Sequence, residues 1–192
     1  MKQSTIGHLA VPVSERDHIQ GPPTAPVTLV EYGDYECPYC GAAYLVVKYL
    51  QRQLRDDLRF VFRNFPLIEI HPHAEQAAEA AEAAGAQGNY WEMHDRLFEN
   101  QQALDLPDLV HYANEIGLDI PRFEHDLATH AFEPRVLEDL ISGARSGVNG
   151  TPTFFINEER WEGGYDEESL LAGLVAASRS GQTGNEGKRR HA

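Results

Sequence analysis

The chain has 192 residues, 42% hydrophobic and 24% charged, with a formal net charge of −14. These values suit one sizeable globular domain, or one domain with a large insertion. They speak against a nucleic-acid partner, because phosphate binding needs clustered Lys and Arg and the only basic cluster is Lys188-Arg189-Arg190 in the tail.

Residues Met1 to His8 carry no apolar core of the about 7–15 residues that a secretory leader needs. No stretch approaches the ~18–20 apolar residues of a membrane helix. The chain as given is therefore expected to be soluble and cytoplasmic, with no membrane segment. Residues 1–26 are polar and Pro-rich and read as an irregular lead-in. Val27 to Tyr32 is a β-branched and aromatic run, bounded by Gly33-Asp34, that reads as a strand buried on both faces. After Glu36-Cys37-Pro38-Tyr39-Cys40-Gly41 the period changes. Tyr44, Leu45, Val47, Tyr49, Leu50 and Leu54 mark an amphipathic helix to about Arg55. Leu58 to Phe65 reads as a second strand, completing a right-handed βαβ unit.

Residues 72–147 contain no strand pattern. Ala74–Ala84, Tyr90–Gln101, Pro107–Ile116, Pro121–His130 and Pro134–Arg145 each carry helical spacing, with Pro or Gly at the boundaries. Thr153 to Ile156 reads as a strand that turns through Asn157-Glu158-Glu159 into Arg160-Trp161-Glu162. Tyr165-Asp166 opens a last helix through Leu170, Leu171, Leu174 and Val175. The expected architecture is α/β. Residues 1–70 and 148–179 form the sheet domain, with helices on both faces. Residues 71–147 form a helical insertion that acts as a lid at one end, and 180–192 form a disordered tail.

The two cysteines, Cys37 and Cys40, are the only ones present. In a reducing compartment they are poor candidates for a structural staple, and a bridge over so short a loop removes little unfolded-state entropy. A C-x-x-C at a strand-to-helix junction reads instead as a redox motif. Free N–H groups at a helix start bring a thiol pKa from near 8.5 to roughly 3.5–7.5, which makes Cys37 the attacking thiolate. Cys40, one helical turn on and more buried, is placed to attack the resulting mixed disulfide. Pro38 suits the first helical turn, where its missing N–H is not needed. Two other readings remain: zinc, with further ligands drawn from His71 and His73, or a pair of inert buried thiols.

Glu31-Tyr32-Gly33-Asp34-Tyr35-Glu36-Cys37-Pro38-Tyr39-Cys40 and Asn149-Gly150-Thr151-Pro152-Thr153-Phe154-Phe155-Ile156-Asn157 resemble the two signature segments of the DsbA-like thioredoxin-fold family. The likeness covers about residues 18–178. It extends to the cytosolic-type members and to the thioredoxin-like domain fused to some NhaA sodium–proton antiporters. It implies a thioredoxin fold, a central mixed sheet flanked by helices with an inserted all-helical subdomain. The implied activity is thiol–disulfide exchange on protein or small-molecule thiols and disulfides, with a recycling reductase or oxidase as partner and neither cofactor nor metal.

Carried over by position, the resemblance makes Cys37 the nucleophile and Cys40 the resolving thiol. Pro152 becomes a cis-proline beside the dithiol and Thr151 a backbone contact for bound peptide, with Pro38 and Tyr39 as further substrate contacts. From the residues alone, Gly150-Thr151-Pro152 is equally compatible with a trans turn. Glu31 alternates with Val27 and Leu29, so it points where they point. A carboxylate buried there has a raised pKa and suits a proton relay to Cys40; the competing reading is an ion pair with a residue such as Arg63. Tyr39 stands where the best-known periplasmic member has His and supplies no cation to the thiolate. A potential in the lower half of the about −270 to −120 mV range follows.

Among the remaining residues, His71 and His73 read as loop or helix-start residues. His94, His111, His125 and His130 read as surface or satisfied side chains, and Tyr90, Trp91 and Phe98 as packing. Competing functions are a non-enzymatic redox or metal sensor, and a glutathione-dependent isomerase or transferase of the kappa type. The latter uses serine at the reactive position, which Cys37 argues against.

Overall fold

Val27–Gly33 is buried along its entire length and forms the middle of the sheet. A computed structural model describes residues 7–189, with side chains described through 179. The described part of the lead-in contributes a short strand, β1 (His18–Gln20), and the central strand is β2 (Val27–Gly33). Helix α1 (Pro38–Leu54) and β3 (Leu58–Asn64) complete the βαβ unit, and β4 (Thr153–Ile156) and β5 (Glu159–Arg160) follow after a helical stretch. The sheet order is β1-β3-β2-β4-β5, parallel between β2 and β3 and antiparallel elsewhere.

The period-2 alternation of β2 separates two cores. Val27 and Leu29 face α1 and most of the other helices, together with Phe60, Phe62, Phe154 and Ile156. Val30 and Tyr32 face the opposite side with Val61, Phe65 and Phe155. Five helices lie between β3 and β4: α2 (Ala74–Gly85), α3 (Tyr90–Glu99), α4 (Leu106–Glu115), α5 (Ile120–Ala128) and α6 (Glu133–Arg145). Two of them reach beyond a lid confined to one end. Helix α2 is threaded into the first core, with Ala77, Ala80, Ala81, Ala83 and Ala84 all fully buried. Small side chains let neighbouring elements close on it from several sides. Helix α6 crosses to the second face, where a Cβ at Gly143 would lie 2.7 Å from the Phe65 ring.

The described part of the lead-in is more ordered than its composition suggests. β1 pairs with the outer edge of β3, and three residues of mixed polarity carry too little periodicity to be recognised in isolation. Residues 9–17 cover the second core through Leu9 and Val13. They are held by Arg63, which is wholly buried. Its guanidinium donates to Asp17 at 2.8 and 3.1 Å, to the carbonyls of Val11 and Pro12, and to the Tyr32 hydroxyl. An ion pair between Arg63 and Glu31 is therefore ruled out. Glu31 is in register with Phe62, so the next residue, Arg63, points to the other face.

Helix α7 spans Glu167–Arg189, its start capped by Asp166, which accepts from Ser169 N at 3.0 Å. It continues through 180–189, within the Gly-, polar- and Lys/Arg-rich stretch 180–192 that reads from sequence as a disordered tail. Extending an established helix avoids the nucleation cost that makes an isolated segment unstable. Residues 1–6 and 190–192, and the Lys188-Arg189-Arg190 side chains, lie outside the described residues. No described helix is long and apolar enough to cross a membrane.

Candidate active site

β2 ends at Gly33 and α1 starts at Pro38, so four residues make the junction. Asp34 builds it. Its buried carboxylate accepts from Glu36 N through one oxygen, and from Leu67 N and His71 Nδ1 through the other, each at 2.8 Å. Its carbonyl accepts from Cys37 N at 3.2 Å, and its N–H points at Cys40 Sγ, 3.4 Å away. Cys37 is thereby held in extended geometry as the last residue before the helix, with Pro38 in the first turn. The two cysteines approach to 3.9 Å and are not bonded. Cys37 is 3% exposed and Cys40 fully buried, whereas Pro38 is exposed and Tyr39 is 64% exposed.

Thr151 and Pro152 enter from the start of β4. The Thr151–Pro152 peptide is cis, and the Thr151 carbonyl lies 3.5 Å from Cys37 Sγ. The Thr151 hydroxyl is buried without a partner among the described residues, which leaves it free to donate to a thiolate. Glu31 sits behind the dithiol in the same layer as Leu29, 2% exposed, and its Oε1 has no partner among the described residues.

These surroundings drive the two thiols apart. Cys37 is lowered to about 5, first by the hydrogen bond from the Cys40 thiol, then by Thr151 and by the backbone N–H groups of Cys40 and Tyr39, all against the opposing effect of burial. The helix terminus therefore contributes, but the neighbouring thiol contributes more. Cys40 is pushed up, chiefly by burial and then by its donation to Cys37. Glu31 is raised to about 8 by burial and, secondarily, by the Cys37 charge. An ultraviolet titration of the reduced protein should show one thiolate appearing with a midpoint near 5. A single midpoint near the ordinary 8.5 would contradict the assignment.

Several side chains around the dithiol carry no signal in isolation. His71 is tied to Asp34, and His73 contacts Glu36 at 2.8 Å and Asp105 at 3.1 Å, so the pair Asp34-x-Glu36 is matched against His71-x-His73. That i, i+2 correspondence is the only trace in the sequence. His94 is buried and hydrogen-bonded to the Tyr35 hydroxyl at 3.0 Å. Among the described residues no group of three His, Cys, Asp or Glu side chains is placed to hold a metal.

A mixed five-stranded sheet, with a C-x-x-C pair opening the helix after its central strand, defines a thioredoxin-fold protein. A family model described as thioredoxin matches residues 13–174, and the chain belongs to that family. Among solved structures, it is similar to BdbD from Bacillus subtilis, with a TM-score of 0.81, 22% identity, and coverage of 90% of this chain and 98% of that one. It is also similar to a thioredoxin-like oxidoreductase from Silicibacter pomeroyi, with a TM-score of 0.76, 28% identity, and coverage of 87% and 94%. Among curated proteins, it is 49% identical over 170 residues to Na(+)/H(+) antiporter NhaA 1 of Salinispora arenicola, covering 88% of this chain and 26% of that protein. It is 46% identical over 182 residues to NhaA 3 of Salinispora tropica, covering 94% and 28%. The chain thus spans about a quarter of the length of these relatives.

Proposed function

We propose that the chain is a thiol–disulfide oxidoreductase working through Cys37 and Cys40. The observation that carries this reading is the pairing, at 3.9 Å, of one thiol lowered to about 5 with a second pushed upward. The Cys37 thiolate attacks a substrate disulfide, forming a mixed disulfide and expelling a substrate thiolate that takes up a proton. Cys40 then loses its proton and attacks Cys37 Sγ, closing the protein disulfide and releasing the second substrate thiol. Glu31 suits the role of proton acceptor for Cys40. Forming the mixed disulfide removes the Cys37 charge that, second to burial, holds Glu31 protonated, so the ionised carboxylate gains share at the stage when Cys40 must lose its proton.

The exposed Pro38 and Tyr39, and the Thr151–Pro152 edge beside Cys37, are the surfaces offered to a substrate peptide or small disulfide. A recycling reductase or oxidase completes the cycle. Tyr39 brings no positive charge to the thiolate, which argues against the most oxidising end of the about −270 to −120 mV range, while a Cys37 lowered to about 5 argues against the thioredoxin end; a cytoplasmic setting goes with such an intermediate couple. Equilibration with glutathione buffers should reveal one reversible two-thiol transition, together with catalysis of insulin-disulfide reduction. Stoichiometric zinc in the purified protein with no turnover would replace this reading by that of a metal-sensing domain.

A further inference from the structure

Gly41 follows the second cysteine inside α1, where glycine is a poor helix former. The space its missing side chain leaves is taken by one residue. The three heavy atoms nearest to a Cβ built there all belong to Gln101: Oε1, onto which it would fall, Cδ at 2.8 Å and Nε2 at 3.2 Å. Gln101 is half-buried in the segment between α3 and α4. Its Nε2 donates to the Tyr35 carbonyl at 2.8 Å and to the Cys37 carbonyl at 2.9 Å. An amide nitrogen has two hydrogens, and both are used on the two carbonyls that flank Glu36. The opposite orientation of the amide would set its oxygen against the same two carbonyls, so the acceptors dictate which way it points. The Cys37 carbonyl also accepts from Gly41 N at 3.1 Å, so the turn is held from inside the helix and from outside it.

We propose that Gln101 is a positioning residue for the dithiol: it fixes the Tyr35–Cys37 turn so that the first N–H groups of α1 converge on Cys37 Sγ, and Gly41 is glycine to admit it. The inference rests on the oxidoreductase reading and gives the helical stretch between β3 and β4 a part in the chemistry. Gln101 does not touch the sulfur; it acts through the backbone that does. Without it, Tyr35 and Cys37 each lose a carbonyl partner, and the N–H groups of Tyr39 and Cys40 lose their fixed aim at the thiolate. A less stabilised thiolate disfavours the reduced protein, so the disulfide form gains.

The test uses the whole chain as wild type, Gln101→Ala, Gly41→Ala and the double variant. The readouts are the Cys37 titration and the equilibrium constant with glutathione. Gln101→Ala should raise the Cys37 midpoint by at least about half a unit and shift the glutathione equilibrium towards the protein disulfide by about threefold. Gly41→Ala should move both in the same direction by displacing Gln101, and should add nothing once Gln101 is alanine. A folded Gln101→Ala variant with unchanged titration and equilibrium would overturn the proposal, as would full additivity of the two substitutions. Should Gln101→Ala fail to fold, Gly41→Ala alone decides on the same two readouts. If the wild type exchanges nothing with glutathione, the oxidoreductase reading fails, while the titration still decides whether Gln101 positions Cys37.

Discussion

Cys37→Ser lowers insulin-disulfide turnover by at least about 10³-fold, the scale on which removal of an enzymatic nucleophile acts. Cys40→Ser gives a different result. The attacking thiolate survives, but nothing resolves its product, so the mixed disulfide accumulates and is seen as a stable adduct by mass spectrometry. The asymmetry follows from position: Cys37 lies beside the exposed Pro38 and Tyr39, whereas Cys40 is fully buried behind it. Cys40→Ala, which removes the donor that a serine hydroxyl keeps, should also raise the Cys37 midpoint, because the hydrogen bond from the Cys40 thiol is the foremost influence that lowers it. Equal loss of attack in both variants, with no trapped adduct from Cys40→Ser, would contradict the assigned order.

Glu31→Gln stabilises the reduced protein at neutral pH by roughly 3 kcal/mol. The folded state holds Glu31 protonated up to about 8, whereas the unfolded chain releases that proton near 4.5. The unfolded state therefore gains free energy of ionisation that the folded state is denied. The native contribution is whole below pH 4.5 and declines as pH rises through the window to about 8. Glutamine keeps the shape and has no proton to lose, so its advantage should be absent in acid, grow across that window and level off above it. Urea unfolding at acidic, neutral and alkaline pH measures this directly; a pH-independent gain would rule out the buried acid. The same variant should resolve mixed disulfides more slowly, since Cys40 loses its proton acceptor. Greater stability with slower chemistry is the signature of a group retained for function.

Cys37, Cys40 and Glu31 are legible in the sequence because what places them is local. The change from strand to helix period puts Cys37 at a helix start, and alternation along one strand puts Glu31 on the Leu29 face. The elements that escape such reading depend on distant partners. β1 exists because β3 offers it an open edge, and His18-Ile19-Gln20 has no pattern of its own. Gln101 looks like any glutamine after a helix until α1 is seen to carry a glycine opposite it. His71 and His73 read as loop or helix-start residues, and His73 does stand at the start of α2, but that reading does not show that they lock the loop after β3 onto Asp34 and Glu36. The helical stretch between β3 and β4 was recognisable as helices from its spacing. Its route through the first core was not, because the alanines of α2 reveal how closely neighbours approach only when those neighbours are present.

The burial of Arg63 sets a rule for transplanting this domain into another polypeptide. A cut made at the first strong strand signal, before Val27, would look reasonable on hydrophobicity. It would also remove Asp17 and the carbonyls of Val11 and Pro12, and so strand a guanidinium in the sheet with only the Tyr32 hydroxyl for company. Leaving a buried charge without its partner typically costs about 3–5 kcal/mol. The smallest graft that keeps the counter-ion and both carbonyls therefore starts upstream of Val11, and fusions should be joined there rather than at the first obvious strand.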